Sequence, residues 1–282
     1  MSLKDLYRLI SPKYQNIFLE YKVDLKPRYG HGFHAHTHLY DLINNNRESY
    51  KELLNDTLQY LDIFHSIDKI NEAHKSNQLV YNNGFLPALD MVGIYTIISK
   101  YKPKRYIEIG SGFSTIIAHK AIQENNLKTS VIAVDPNPRT NVLQIVEKLI
   151  NKPLENVNFQ FLFDLEENDI LFVDSSHRIL PNSDSMIFFL EILPNLPKGV
   201  IVHLHDIYLP YDYPSFMCQR LYSEQYGLAM FLLASNGKYQ PLLPNFFISE
   251  DDELMSIIEP YWDHPSMSDL ERHGGSFWLK IN

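Results

Sequence analysis

The amino-acid sequence predicts an α/β fold built on a parallel sheet that helices cover on both faces. The first observation is a set of short apolar runs, rich in β-branched residues, that begins at Arg105: RYIEI, SVIAVD, VNFQFL, DILFVD and GVIVHLHD. The second is that helical patterns separate most of these runs, namely STIIAHKAIQEN, RTNVLQIVEKLI and SMIFFLEIL. Strands that alternate with helices form βαβ units, whose parallel strands are buried on both faces.

The chain before these runs is predicted to be a separate helical region. Apolar residues recur there at helical intervals, at Leu53, Leu54, Leu58, Leu61, Phe64 and Ile67. The turn-forming stretch YNNGFLPALD then marks a boundary. We therefore predict an N-terminal helical cap over residues 1–84 and a second domain over residues 85–282. The apolar stripe of the cap needs a surface to cover, either the acceptor pocket discussed below or a homodimer contact.

Further elements are predicted before and after these strands. A helix fits LDMVGIYTIISKY before the first strand and stops at Pro103. A long helix is expected after Pro214, through FMCQRLYSEQYGLAMFLLA. PNFFIS and GSFWLKIN are predicted to be the last two strands, with the acidic stretch EDDEL between them.

Composition and charge exclude several classes of protein. The chain has 282 residues, 45% of them hydrophobic, which is enough for a sizeable core. Its net charge of −9 argues against nucleic acid as a partner, because phosphate binding needs a basic surface. Cys218 is the single cysteine, so a disulfide framework and a Cys-rich zinc site are excluded. Neither a secretory signal nor an apolar run of about 18 residues is present, so we expect a cytoplasmic protein with no membrane contact.

The stretch YIEIGSGFST is the strongest functional signal. Gly110 and Gly112 allow a tight turn and close approach of the backbone to a ligand between a strand and a helix. The next strand ends in Asp135, about 20–25 residues further on, where a carboxylate can hold both hydroxyls of a ribose. The glycine fingerprint of dinucleotide sites is incomplete, because Thr115 stands where a third glycine would be.

Several motifs together resemble the class I S-adenosylmethionine-dependent methyltransferases. EIGSG followed by VD, with DILFVDSSH, GVIVHLHDIYLPYDYP, EQY and GGSFWLKI, is similar to a bacterial small-molecule branch related to catechol O-methyltransferase-like and cephalosporin-hydroxylase-like proteins. The resemblance runs from about residue 80 to the end. It implies a Rossmann-like, seven-stranded, mostly parallel sheet whose last strand is antiparallel. It also implies a cofactor site at Glu108, Gly110, Ser111, Gly112, Asp135 and Asp174.

Two neighbouring strands end in acids and imidazoles. FVDSSH ends in Asp174 and His177, and HLHD ends in His205 and Asp206. Because adjacent strands lie about 4.8 Å apart, these side chains can share one ligand. His203 lies deeper in its strand and is expected to pack under a helix. The tyrosines and Phe216 that follow suit the apolar wall of an acceptor pocket.

Two interpretations of this edge remain open. By resemblance, Asp174 and Asp206 occupy the positions of metal-binding acids, so Asp174, His205 and Asp206 could hold a divalent metal that activates the acceptor. The Asp-Asn pair of the catechol enzymes is missing, however, and His205 precedes Asp206 instead. Alternatively no metal binds, and His177 or His205 acts as a general base, with Asp174 as a third catalytic residue.

A histidine-rich stretch, HGFHAHTH, lies outside the resembling region. His31, His34, His36 and His38 have a spacing that can bind a divalent metal. We interpret it first as a surface of the cap, and second as a lid that contributes to the acceptor pocket.

The leading functional hypothesis is methyl transfer from S-adenosylmethionine to a small-molecule acceptor, at oxygen. An NAD-dependent oxidoreductase on the same sheet is the alternative enzyme, although Glu108 and the missing third glycine weigh against it. A cofactor-binding protein without turnover is a further alternative, since fold does not fix function.

Overall fold

The structure is a computed structural model that describes residues 3–70, 78–138 and 142–282. The described residues form one seven-stranded sheet in the order β3-β2-β1-β4-β5-β7-β6. The strands are β1 Arg105–Ile109, β2 Ser130–Val134, β3 Lys148–Ile150, β4 Ile170–Val173, β5 Ile201–Leu204, β6 Tyr239–Pro244 and β7 Phe277–Ile281. Strands β3 to β5 in this order are parallel, and β7 runs antiparallel to β5 and to β6. The predicted sheet, with its antiparallel last strand, is confirmed.

Helices surround the sheet, and every residue of β4 and β5 is buried, as strands covered on both faces must be. The α-helices in the described residues are α1 Leu3–Ile10, α2 Thr37–Asn44, α3 Arg47–Thr57, α4 Leu61–His65, α5 Ala88–Tyr101, α6 Phe113–Glu124, α7 Asp184–Ile187, α8 Ser215–Cys218, α9 Glu224–Ala234, α10 Asn245–Ser249, α11 Asp252–Ile257 and α12 Glu259–Trp262. A π-helical turn, Phe188–Ile192, continues α7. None of the helices in the described ranges is long and apolar enough to cross a bilayer.

The order of the strands places a crevice between β1 and β4. From β1 the chain winds outward through β2 and β3 on one side, and through β4 and β5 on the other. The helices that follow β1 and β4 therefore diverge, which leaves an opening at the carboxyl ends of these two strands. Ligands of open parallel sheets bind at such a switch point.

Four of the predicted elements are wrong. RTNVLQIVEKLI, predicted as a helix, contains a 3₁₀ turn at Val142–Gln144 and strand β3, while residues 139–141 lie outside the described part. VNFQFL, predicted as a strand, leads into the 3₁₀ helix Gln160–Asp164. PNFFIS, also predicted as a strand, forms α10, because β6 comes just before it. The long helix expected after Pro214 divides into α8 and α9.

The N-terminal helices pack into the same core as the sheet. Leu39, Ile43, Tyr50, Leu54 and Phe64 are all buried in one continuous cluster with the residues of the strands. Helix α3 contacts α5, α11 and β6. The division into residues 1–84 and 85–282, and the action of the first part as a cap, stay predictions.

Candidate active site

The turn after β1 joins the ends of β1 and β4. Gly110 has φ +81°, and a Cβ atom built there would lie 2.3 Å from the Asp174 carbonyl oxygen. Only glycine fits this position, because both the backbone conformation and the contact exclude a side chain. A Cβ built on Gly112, in contrast, would meet open space. Gly112 borders a small cavity together with Ser111, Ser114 and Asp174.

Glu108 lies beneath this turn and is fully buried. Its carboxyl group accepts hydrogen bonds from the hydroxyls of Ser114 and Thr115 at the start of α6. Burial, reinforced by the charges of Asp174 and Asp135, outweighs these two hydrogen bonds and raises the pKa of Glu108 to about 8. The group is therefore mostly protonated at neutral pH and fixes the helix to the strand. Its place near the amino-acid end of a cofactor stays a prediction.

We expect Glu108→Gln to keep the protein stable and to change how stability depends on pH. The pKa of an unfolded glutamate is near 4.5, below the value in the fold. Between these two values the folded state binds the extra proton, so this group's contribution to stability falls as pH rises from about 4.5 to about 8. Glutamine cannot titrate, so this part of the loss should disappear. Melting temperatures of both proteins across that range test it, and parallel profiles would contradict it.

Asp135 connects the same turn to the end of β2. Its Oδ2 accepts hydrogen bonds from the Ser111 amide at 2.8 Å and from the Ser111 hydroxyl at 2.7 Å. Its Oδ1 accepts one from the Asn137 amide at 2.7 Å. Each carboxylate oxygen can accept more than one hydrogen bond, so capacity for a ligand hydroxyl remains. The sequence predicted Gly110, Ser111, Gly112 and Asp135 as a group, and the structure brings them together.

The ends of β4 and β5 carry a compact cluster of acids and imidazoles. His177 Nε2 lies 3.3 Å from Asp174 Oδ1 and 3.4 Å from Asp206 Oδ2. On the opposite side of the ring, His177 Nδ1 lies 3.1 Å from Oε2 of the buried Glu224. Burial alone would lower the pKa of His177, but Glu224, Asp206 and Asp174 together raise it. Glu224 thus orients the imidazole and leaves Nε2 facing the two aspartates.

His205 occupies the other side of the same aspartates. Its Nδ1 lies 3.5 Å from Asp206 Oδ1 and 3.8 Å from Asp174 Oδ1, and its Nε2 lies 3.6 Å from Oδ2 of the buried Asp90. Burial alone would lower the pKa of His205. The negative charges of Asp206, Asp90 and Asp174 outweigh this effect and raise the pKa to about 10. At neutral pH the ring is an imidazolium that neutralises the acids around it.

Two residues of this cluster have a left-handed backbone. His177 has φ +60° and Asp206 has φ +55°, values that residues other than glycine rarely adopt. Such a conformation costs on the order of 1–3 kcal/mol and persists where the surroundings enforce it. Here the His177 carbonyl accepts hydrogen bonds from the amides of Ser223 and Glu224. This backbone conformation places the side chains of His177 and Asp206 next to each other.

A cavity of about 780 Å³ opens in front of the cluster. Its inner wall contains Asp174, His177, His205 and Asp206. Aromatic and apolar side chains form much of the rest, from Tyr81, Phe85, Tyr208, Phe216, Met217 and Tyr222. Asp174 and His205 also border the small cavity at the glycine turn, so the two spaces meet at the end of β4.

Comparison with known proteins identifies the centre of the chain. A family model described as a methyltransferase domain matches residues 107–207. Residues 107–207 are thus similar to a methyltransferase domain. The matched segment begins in β1 and ends just after Asp206, so it contains the glycine turn, Asp135 and the cluster at β4 and β5.

The chain also matches a curated protein. An uncharacterized protein of Archaeoglobus fulgidus is 30% identical over 135 residues, which are 45% of this chain. The match spans about 60% of that relative's length.

Solved structures of methyltransferases are similar to the chain. The Podospora anserina methyltransferase PaMTH1, bound to S-adenosylhomocysteine, is 16% identical, with a TM-score of 0.42 over 80% of this chain and 88% of its own. The plantazolicin methyltransferase BpumL, in complex with a monoazolic desmethylPZN analogue and S-adenosylhomocysteine, is 12% identical. Its TM-score is 0.46, and the match covers 84% of this chain and 98% of BpumL. The Streptomyces achromogenes O-methyltransferase TomG is 14% identical, with a TM-score of 0.38. The match covers 82% of this chain and 90% of TomG.

The structure does not support the predicted metal site at Asp174, His205 and Asp206. These side chains do meet, but no group of three or more His, Cys, Asp or Glu side chains in the described ranges is arranged to hold a metal ion. In the protein without a metal, Asp206, Asp90 and Asp174 raise the pKa of His205. Its imidazolium then supplies the positive charge that the neighbouring aspartates require, in place of a metal cation.

The sequence missed two residues of the cluster, Asp90 and Glu224. Both lie outside the segment matched as a methyltransferase domain, and both are buried acids. Asp90 also accepts hydrogen bonds from the amides of Gly275 and Ser276 at 2.8 and 3.0 Å. In the sequence, Asp90 stands out as the single acid of helix α5, most of whose residues are apolar.

Three further histidines of the described ranges have structural contacts. His203 is buried and stacks on Phe172 of the neighbouring strand β4, with a centroid distance of 3.7 Å, and not on a helix residue. In the histidine-rich stretch, His36 Nδ1 accepts from the Leu39 amide and caps α2, and His31 Nε2 lies 2.9 Å from the Asp212 carbonyl oxygen. This stretch therefore packs against the loop that follows β5, beside the cavity.

Proposed function

We propose that the protein transfers a methyl group from S-adenosylmethionine to a hydroxyl oxygen of a small molecule. The observation that carries this proposal is the meeting of two half-sites at Asp174. The glycine turn and Asp135 lie on one side, and His177 and Asp206 face an aromatic-lined cavity on the other. A methyl donor on the first side and an acceptor on the second would come into contact at the end of β4.

The residues on the donor side fit the cofactor. The open space beside Gly112 admits a ligand close to the backbone, and the α6 amides nearby favour a carboxylate. Asp135, at the end of β2, suits a ribose. S-adenosylmethionine would supply an activated methyl group when bound, and the protein's task is then to position the acceptor and to remove its proton.

We assign the proton transfer to His177. Glu224 holds its Nδ1–H, so in the neutral ring Nε2, which lies beside Asp174 and Asp206 at the cavity, can accept the hydroxyl proton of an acceptor. His205 serves as a fixed positive charge beside Asp174 and Asp206. Asp174 and Asp206 then orient the acceptor by accepting its hydrogen bonds. This division of roles requires no divalent metal.

Asp135→Ala is expected to weaken binding of S-adenosylhomocysteine by roughly 10-fold to 100-fold, because a charge-assisted hydrogen bond is lost. Isothermal calorimetry measures it. Ser111→Ala separates the two roles of Asp135, because it loosens the turn but leaves the carboxylate in place. Asp252→Ala, an exposed acid on α11, is the matched control. Unchanged affinity in Asp135→Ala would remove this residue from the site, and no binding by the unaltered protein would refute the proposed function.

A further inference from the structure

We propose that the acceptor is an anion, and that Arg220 at the cavity wall recognises its carboxylate or phosphate. This inference rests on the proposed function, because it concerns the acceptor half of the same site. Arg220 lies in the segment between α8 and α9 and borders the cavity. Its guanidinium lies 4.7 Å from the centre of the Tyr222 ring.

Arg220 is a cation without a negatively charged partner in the described part of the chain. In the described ranges it makes no ion pair with a carboxylate. A second cation, Arg178, approaches the same ring at 5.1 Å, and its Nε donates to the Arg220 carbonyl oxygen at 2.8 Å. Arg178 likewise has no carboxylate partner among those residues. Two like charges held at one aromatic ring repel, and an anion between or beside them would relieve this repulsion.

Each acid that borders the cavity has a basic side chain beside it. Asp269 binds Lys69, and Glu271 lies 3.3 Å from His273 Nδ1. Asp174 and Asp206 contact the two imidazoles of the cluster. Arg220, which has no carboxylate partner in the described ranges, therefore offers an incoming anion a guanidinium at the cavity wall.

Geometry gives the shape of the acceptor. The Tyr222 ring contacts both groups: its centre lies 4.8 Å from that of the His177 ring and 4.7 Å from the Arg220 guanidinium. The proposed base and the guanidinium are therefore both within reach of one aromatic ring. An acceptor about one aromatic ring in size could place its hydroxyl at His177 and its anionic group at Arg220. The aromatic side chains Phe85, Tyr208 and Phe216 would contact its faces.

The experiment compares matched probes on protein saturated with S-adenosylhomocysteine. Protocatechuate, a dihydroxylated benzoate, is titrated in parallel with its neutral amide, which has the same shape without the charge. We expect the carboxylate to bind roughly 10-fold more tightly or better, and this preference to vanish in Arg220→Gln. Hydroquinone monophosphate distinguishes a phosphate preference from a carboxylate preference. Arg8→Gln, on α1, is the control and should keep the wild-type preference.

The outcomes separate this inference from the proposed function. If S-adenosylhomocysteine does not bind, the proposed function itself fails. If it binds but both protocatechuate and its amide bind equally, or neither binds, the anionic acceptor is wrong. Equal loss of both probes in Arg220→Gln would also overturn it, since that pattern indicates a structural role for the arginine.

Discussion

His177→Ala is expected to lower kcat/KM by about 10²–10⁴-fold, the usual contribution of a general base. The affinity for S-adenosylhomocysteine should stay unchanged, because His177 faces the acceptor cavity and does not border the glycine turn. Formation of S-adenosylhomocysteine with a panel of hydroxylated aromatic acceptors measures the first quantity, and calorimetry the second. His38→Ala, an exposed histidine on α2, is the control.

The pH dependence gives this prediction a second measurement. Only neutral His177 can accept a proton, so activity should rise with pH through the pKa of His177, which lies above 6.5 in the fold. Glu224→Gln removes the charge that contributes most to this raised value, so the rise should move to lower pH. A merely structural Glu224 would lower activity without moving the profile. Loss of activity on chelation, with recovery when a metal is added, would contradict the role of His177 as a general base. It would support the divalent metal site instead.

Asp90→Ala is expected to destabilise the protein by about 3–5 kcal/mol, the cost of breaking a buried charged network. The fully buried carboxylate accepts from the amides of Gly275 and Ser276 and from the side chain of Asn245, and it faces His205. Alanine leaves these donors without a partner and an imidazolium with less compensation. Denaturant unfolding at neutral pH gives the free energy of unfolding.

Asp56→Ala provides the comparison for Asp90. Asp56 also pairs with a cation, Lys100, but on the surface, where such a pair contributes about 0–1 kcal/mol. If Asp90→Ala loses no more stability than Asp56→Ala, the buried network contributes little. Burial raises the pKa of Asp90, but His205 and the donors around it lower it further, so its contribution should be lost as pH falls below the value of an unfolded aspartate.

The central strands could be predicted from the sequence because each is buried on both faces. Such a strand is a mainly apolar run: β4 is a continuous one, whereas Glu108 interrupts the run in β1 and His203 the run in β5. The edges of the sheet could not be predicted in this way. Strand β3 has three residues, too few for a pattern, and the apolar residues before it repeat at helical spacing. Strand β6 contains Pro241 and Pro244, which argue against a strand unless it lies at an edge, as β6 does.

The candidate site could be predicted where chemistry follows a strand directly. Asp135, Asp174, His177, His205 and Asp206 each lie within a few residues of a strand end, and parallel strands bring these ends together. Asp90 and Glu224 lie in helices far away in sequence, and only tertiary packing brings them to His205 and His177. The protonation of His205 was likewise hidden, because it depends on three carboxylates that no local pattern relates.

The position of β7 bears on how the chain folds. This strand is the last along the sequence, yet it lies between β5 and β6 inside the sheet. Until it is inserted, β5 has an unpaired edge, and the amides of Gly275 and Ser276 are not in place on Asp90. Pairing over so long a separation is slow, and open edges invite association with other chains. The cluster at the ends of β4 and β5 is thus among the last parts of the described chain to form, and a chain without β7 has an unpaired edge at β5.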